Sequence, residues 1–285
     1  MSIGVICRMN QARSPFAEGV LTKNFPEHEF FSSGVEAVTG SDLIDGVAEL
    51  AKVWDIELTK KRSSSIHDDL AEILEAELII CAELKFESYI RRLGYQGKIV
   101  CFEHLVTDSF LMPLDPEGLG VDKFKRELAK TAALSIKAVR EHLGISFANS
   151  IQVITPNSTS DSDLALSHAI MESKINNAIL VDVDFRAPNT QAIKEQQLNL
   201  IEFDIKDLTT LPPLEGLASA VLSHKYQLNH PGEVLLSPTF ASFLTHLTQL
   251  HPVTLLTAPR YTSSNRLSES FIISAYADKI SLISA

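Results

Sequence analysis

Cys7 and Arg13 stand six residues apart in Val5-Ile6-Cys7-Arg8-Met9-Asn10-Gln11-Ala12-Arg13-Ser14-Pro15, and as a pair they suit chemistry at phosphorus. A cysteine thiolate is a strong nucleophile, and an arginine guanidinium offers a planar fork of donors that matches phosphate oxygens. The context sharpens the reading. Ser2 to Ile6 has the look of a short buried strand, and Ser14-Pro15 reads as an N-cap followed by proline at the first helical position. Arg8, Met9, Asn10, Gln11 and Ala12 are therefore expected to loop at a helix N-terminus, where backbone N–H groups and the helix dipole favour an anion. In such a cradle Cys7 attacks phosphorus, the leaving group departs, and water hydrolyses the resulting phosphocysteine. A departing alkoxide or phenolate needs a proton donor. Asp115, in Met112-Pro113-Leu114-Asp115-Pro116, is the expected acid, with Asp108 as the second candidate. The set calls for neither a metal nor a cofactor.

The elements that position these residues alternate between strand and helix. Short apolar runs at Ser2–Ile6, His28–Ser33, Glu77–Ala82 and Lys98–Phe102 predict buried strands. Helical spacing appears at Ser14–Lys23, Ser41–Val53, Asp68–Leu74, Leu84–Leu93 and, after a loop with Pro113 and Pro116, Val121–His142, which Gly144 ends. Repeated strand–helix units imply a parallel, doubly wound sheet. The alternation begins afresh after Gly144, with strands at Ser150–Thr155, Ala178–Val183, Val253–Leu256 and Lys279–Ile283, and helices near Asp161–Glu172, after Ser237-Pro238, and near Leu267–Ala275. An α/β protein of two domains, 1–146 and 147–285, is expected, each a parallel sheet flanked by helices.

The 285 residues carry a net charge of −11, which argues against nucleic acid or anionic lipid as the main partner. No apolar run approaches the roughly 20 residues that span a bilayer, and no signal-peptide h-region opens the chain, so a cytoplasmic location without membrane insertion is expected. Three cysteines, Cys7, Cys81 and Cys101, are too few and too odd in number for a disulfide framework. The sequence leaves the oligomeric state open.

Residues 1 to about 145 resemble the low-molecular-weight protein tyrosine phosphatases. The family signature, Cys-x-Gly-Asn-x-x-Arg-Ser-Pro, matches Cys7, Asn10, Arg13, Ser14 and Pro15, its late Asp-Pro matches Asp115-Pro116, and Ser33-Gly34 resembles its Ser-Ala-Gly stretch. The resemblance implies Cys7 as nucleophile, Arg13 as phosphate clamp, Asp115 as acid and later base, Ser14 as thiolate stabiliser and Asn10 as loop support. It also implies a phosphotyrosine protein as substrate. Three positions depart from the pattern. Met9 replaces a glycine or small residue and is expected to crowd the loop; Glu117 replaces an aromatic residue and is expected to repel an anionic substrate; Ala12 removes a second loop cysteine that some relatives use as redox protection. A non-catalytic, phosphotyrosine- or kinase-binding regulator is the alternative these departures suggest. Arsenate reduction, the minor alternative, needs two further cysteines in a mobile segment, whereas Cys81 and Cys101 fall in expected core strands.

The stretch from about 148 to 285 resembles the bacterial tyrosine kinases of capsule and exopolysaccharide synthesis. The likeness lies in Ile179-Leu180-Val181-Asp182-Val183-Asp184-Phe185-Arg186-Ala187-Pro188, in Pro231-Gly232-Glu233-Val234-Leu235-Leu236-Ser237-Pro238, and in Ala275-Tyr276-Ala277-Asp278-Lys279-Ile280. The phosphate loop of such kinases is replaced by Ser158-Thr159-Ser160-Asp161-Ser162-Asp163-Leu164, and Thr257 stands where an aspartate belongs. No tyrosine cluster ends the segment. The resemblance therefore implies a degenerate kinase domain without useful ATP binding, one that docks on a genuine tyrosine kinase and presents it to Cys7.

Overall fold

The computed structural model describes residues 1–59, 61–106, 112–156, 159–185, 193, 199–205, 220–256 and 271–284. The chain divides into two compact units, Met1–Ile145 and Ser146–Ala285. No described helix is long and apolar enough to cross a membrane.

The first unit is built on β1 (Ser2–Cys7), β2 (Glu29–Gly34), β3 (Leu78–Cys81) and β4 (Lys98–Cys101), paired in parallel in the order β2-β1-β3-β4. A sheet covered on both faces needs strands that are apolar on both sides, which is why these strands read as short continuous hydrophobic runs. The helices are α1 (Arg13–Asn24), α2 (Val47–Val53), α3 (Leu70–Glu75), α4 (Lys85–Arg92), α5 (Phe102–Leu105) and α6 (Val121–Leu143). On one side of the sheet Ile6, Ile73, Ile79, Phe86, Ile90 and Tyr95 close into a core. Each such side chain contributes roughly 1.5–3 kcal/mol when fully buried. Gly144, at φ 65°, ends α6 in the left-handed conformation.

Two local expectations are corrected. Ser14 is not the cap of α1: the cap lies two residues earlier, at Ala12, and the helix starts at Arg13. Pro15 is accommodated in the first turn because the first four N–H groups of a helix have no intrahelical partner. Residues 41–46 are not helical. Asp42 instead bridges to Arg62, and α2 begins only after Gly46, whose φ of 91° interrupts the helical pattern that the sequence suggested.

The second unit holds a six-stranded parallel sheet. Its strands are β5 (Ile151–Pro156), β6 (Ile179–Asp182), β7 (Leu200–Phe203), β8 (Val221–His224), β9 (Val253–Leu256) and β10 (Lys279–Ile283), in the order β10-β5-β9-β6-β8-β7. Helices α7 (Ser162–Ile175), α8 (Pro231–Leu235) and α9 (Pro238–Thr248) are described, together with a helical turn at 271–274. Strands β7 and β8 have no counterpart among the sequence expectations. Residues Asp108, Ser158, Arg186, Ala187, Pro188 and Thr257, and positions 267–270 of the expected last helix, lie outside the described residues.

Candidate active site

Cys7 is the last residue of β1, and Arg13 the first of α1, so the intervening five residues must turn the chain from strand into helix. Four carbonyls of this stretch are engaged from outside the loop. Cys7 O accepts from Val35 N at 3.1 Å, Arg8 O from Glu36 N at 2.8 Å, Gln11 O from Ile44 N at 2.9 Å, and Ala12 O from Phe16 N at 3.1 Å. Because peptide units are planar, a loop whose carbonyls turn outward turns its amides inward. Segment 41–46, misread as helix, thus braces the loop through Ile44. Gly34 is needed where β2 meets it, since a Cβ there would lie 2.8 Å from both Arg8 O and Asn10 N.

Cys7 is 3% exposed, and its sulfur receives two hydrogen bonds, from Ser14 Oγ at 3.0 Å and from the Asn10 backbone N–H at 3.2 Å. Asn10 adopts φ 53°, the left-handed region that asparagine tolerates better than most side chains. Its buried side chain donates from Nδ2 to Ser14 Oγ at 2.8 Å and to Ser32 Oγ at 2.9 Å, and accepts from Ser64 N at 2.7 Å through Oδ1. Asn10 takes the one left-handed position in the loop, so Met9 needs no glycine-like backbone, and its side chain lines the cleft instead. Asn10→Ala removes three hydrogen bonds, to Ser14 Oγ, Ser32 Oγ and the Ser64 N–H, each worth about 0.5–1.5 kcal/mol net. The expected outcome is a loss of about 3 kcal/mol in urea unfolding and a fall in kcat/KM of more than about tenfold.

Arg13 is 3% exposed and is held by carboxylates from two distant segments: Glu83 Oε1 at 2.9 Å and Asp115 Oδ2 at 3.4 Å. Glu83, in the β3–α4 connection, also pairs with Lys85 at 2.7 Å. Partial burial alone would raise the Glu83 carboxyl, but hydrogen bonds from Lys85 and Arg13 overcome this and hold it below the usual carboxylate range. Glu83 is a residue of the candidate site that the sequence reading missed, for it lies 70 positions from Arg13 with no local motif.

Asp115 closes the other side. Its Oδ2 faces Arg13 at 3.4 Å and Arg8 Nη2 at 3.5 Å, and its Oδ1 accepts from the Glu117 N–H at 3.3 Å. Glu117 pairs with Arg8 at 2.8 Å, so the charge expected to repel an anion is partly compensated. The Asp115 loop is anchored from below by α6. Buried Glu127 accepts from Leu114 N at 2.8 Å, and Lys130 donates to Met112 O at 3.2 Å. The shallow cleft so formed is lined by Cys7, Met9, Gln11, Ala12 and Arg13 on one side and by Ile44, Asp115, Pro116 and Glu117 on the other. Of the residues that the sequence reading placed in the loop, Cys7, Met9, Gln11, Ala12 and Arg13 line the cleft together with Asp115, while Asn10 and Ser14 are buried behind it and Arg8 pairs with Glu117.

No protein-family model and no curated protein matches this sequence. Among solved structures, the chain is similar to the tyrosine phosphatase AmsI of Erwinia amylovora, with 24% identity, a TM-score of 0.44, and coverage of 49% of this chain and 91% of that one. It is also similar to the tyrosine phosphatase Wzb of Escherichia coli K30, solved with sulphate, at 24% identity and a TM-score of 0.43, covering 50% of this chain and 98% of that one. A third is the YwlE arginine phosphatase of Geobacillus stearothermophilus, at 24% identity and a TM-score of 0.43, covering 50% of this chain and 96% of that one.

In the second unit, Asp182 ends β6 and Asp184 follows it, both buried, with the Asp184 N–H donating to Asp182 Oδ1 at 3.2 Å. The start of α7 carries Asp161 at the N-cap position and Asp163 in the first turn. A helix N-terminus attracts anions, but here two carboxylates already occupy that field.

Proposed function

We propose that the first unit is a phosphatase that hydrolyses phosphotyrosine in proteins through a phosphocysteine intermediate on Cys7. The observation that carries this is the Cys7 sulfur, held by Ser14 and Asn10 at the bottom of a loop that Arg13 closes and Asp115 overhangs. Phosphate oxygens bind to the loop amides and the Arg13 fork, which places phosphorus in line with the sulfur. Attack forms the S–P bond and breaks the P–O bond, Asp115 gives its proton to the departing phenolate, and the same carboxylate then takes a proton from the water that frees inorganic phosphate. Arg13 and the amides stabilise the charge that builds on the equatorial oxygens. The test is steady-state hydrolysis of one peptide carrying phosphotyrosine, phosphoserine or phosphoarginine. The proposal expects phosphotyrosine to be turned over with the highest kcat/KM. Preference for phosphoarginine would reassign the substrate, and no hydrolysis of any of them would overturn the enzyme in favour of a binding protein.

The second unit is proposed as a kinase-like domain that has lost its phosphate site and docks on a tyrosine kinase. Support comes from the resemblance of its sequence and from Asp161 and Asp163 at the start of α7, where a nucleotide phosphate would meet negative charge. Tethering then raises the local concentration of the kinase's phosphorylated segment without altering the catalytic loop. Magnesium-ATP is expected to produce no binding heat with the full chain in calorimetry at millimolar nucleotide. A saturable isotherm would contradict the loss of the phosphate site.

A further inference from the structure

We propose that Cys101, His104 and Glu87, with Cys81 beside them, form a zinc-binding site. Strands β3 and β4 are parallel neighbours, and their register sets Cys81 opposite Cys101, so both thiols end their strands on the edge of the sheet that also carries Cys7. Helix α4 follows β3 and brings Glu87; α5 starts directly after β4 and brings His104. One ligand atom from each of Glu87, Cys101 and His104 lies within 4.8 Å of the other two, and Cys101 Sγ is 4.0 Å from Glu87 Oε2. The His104 ring is already turned inward, with Nδ1 accepting from the Cys101 N–H at 3.3 Å.

The surroundings favour a cation. Glu103 Oε1 accepts from Leu84 N at 2.9 Å, while its Oε2 is buried with no hydrogen-bond partner among the described residues. Arg91, 3.8 Å from Glu87, answers only part of the negative charge of Glu87 and Glu103. One sulfur, an imidazole and a carboxylate form a donor set for zinc with a fourth position left for water or for the neighbouring Cys81, whereas calcium and magnesium take oxygen ligands. Zinc bonds of about 2.0–2.3 Å set tetrahedral ligands about 3.5 Å apart, so the three atoms need to draw in by only about 1 Å. Cys101 is fixed in the strand, but Glu87 is half-buried and His104 is exposed, which leaves both free to close from the solvent side. Binding converts the Cys101 thiol to a metal thiolate and releases its proton to solvent, and a second proton leaves if Cys81 completes the tetrahedron.

The test uses the full-length, reduced and chelator-treated protein titrated with zinc against a chromophoric competitor, and with cobalt for its sulfur-to-metal charge-transfer absorption. A single equivalent is expected, with the absorption present and a zinc-dependent rise in Tm. Cys101→Ser is expected to lose the absorption and at least about 100-fold in affinity; His104→Ala, at an exposed position that does not threaten folding, is expected to lose about 10–100-fold. Cys7→Ser retains both signals, which separates this site from the catalytic sulfur. Absence of binding in the wild type would overturn the proposal, as would binding that survives His104→Ala and Cys101→Ser unchanged or that disappears with Cys7→Ser.

Discussion

Cys7→Ser is expected to lower kcat toward a phosphotyrosine peptide by at least about 10⁴-fold, because the proposed mechanism forms its covalent intermediate on this sulfur. A serine hydroxyl at this position would still receive the Asn10 N–H and face Ser14, yet it carries its proton at neutral pH and attacks phosphorus poorly. The substitution is close to isosteric at a buried site, so folding should be preserved, as checked by urea unfolding. Phosphate binding should also survive. The loop amides and Arg13 stay in place, and Arg13 keeps its pairing with Glu83 at 2.9 Å. A loss of catalysis with retained phosphate affinity separates a nucleophile from a residue that merely packs the loop.

Asp115→Asn is expected to reduce kcat by about 10²–10³-fold on phosphotyrosine, the range of a lost proton donor. The size should depend on the leaving group. Tyrosine leaves as a phenolate with an ordinary pKa near 10 and needs the proton; an aryl phosphate with a much more acidic phenol needs it less, so the variant should lose far less activity on it. A second effect follows from charge. The Asp115 carboxylate lies 3.4 Å from Arg13 and 3.5 Å from Arg8, and removing its charge leaves both guanidinium groups more available to phosphate oxygens. The inhibition constant for inorganic phosphate should therefore fall while kcat falls with it. Equal losses on both leaving groups, or weaker phosphate binding, would remove Asp115 from the acid role and make it a loop residue.

The loop between Cys7 and Arg13 was readable from the sequence because its parts are local. A buried strand shows as an apolar run, a helix start shows as Ser-Pro, and five residues between them leave the chain only one kind of turn. The same locality misled at Ser14. Its type fits an N-cap, but its hydroxyl is drawn to the Cys7 sulfur, and the helix begins earlier without a side-chain cap. Glu83 was invisible, since its role depends on β3 lying next to β1, a pairing that no short motif encodes. Glu127 and Lys130 did leave a signal that went unread. Glu127 shares a face of α6 with Phe124, Leu128 and Thr131, and a carboxylate on a buried helical face demands a partner, here the backbone of the Asp115 loop. The helix expected at 41–46 failed for a related reason: its apolar residues serve the loop, with Ile44 lining the cleft and bonding Gln11, so their spacing mimics a helical face that never forms.

The most direct measurement is to quench the full-length protein with acid during turnover of a phosphotyrosine peptide and to locate the phosphoryl group by mass spectrometry. The account predicts one phosphoryl group, on the peptide that contains Cys7, accumulating more in Asp115→Asn if hydrolysis of the intermediate is slowed more than its formation, and absent from Cys7→Ser. Turnover with no phosphorylated Cys7 peptide in either the native protein or Asp115→Asn, or label on another residue, would contradict it.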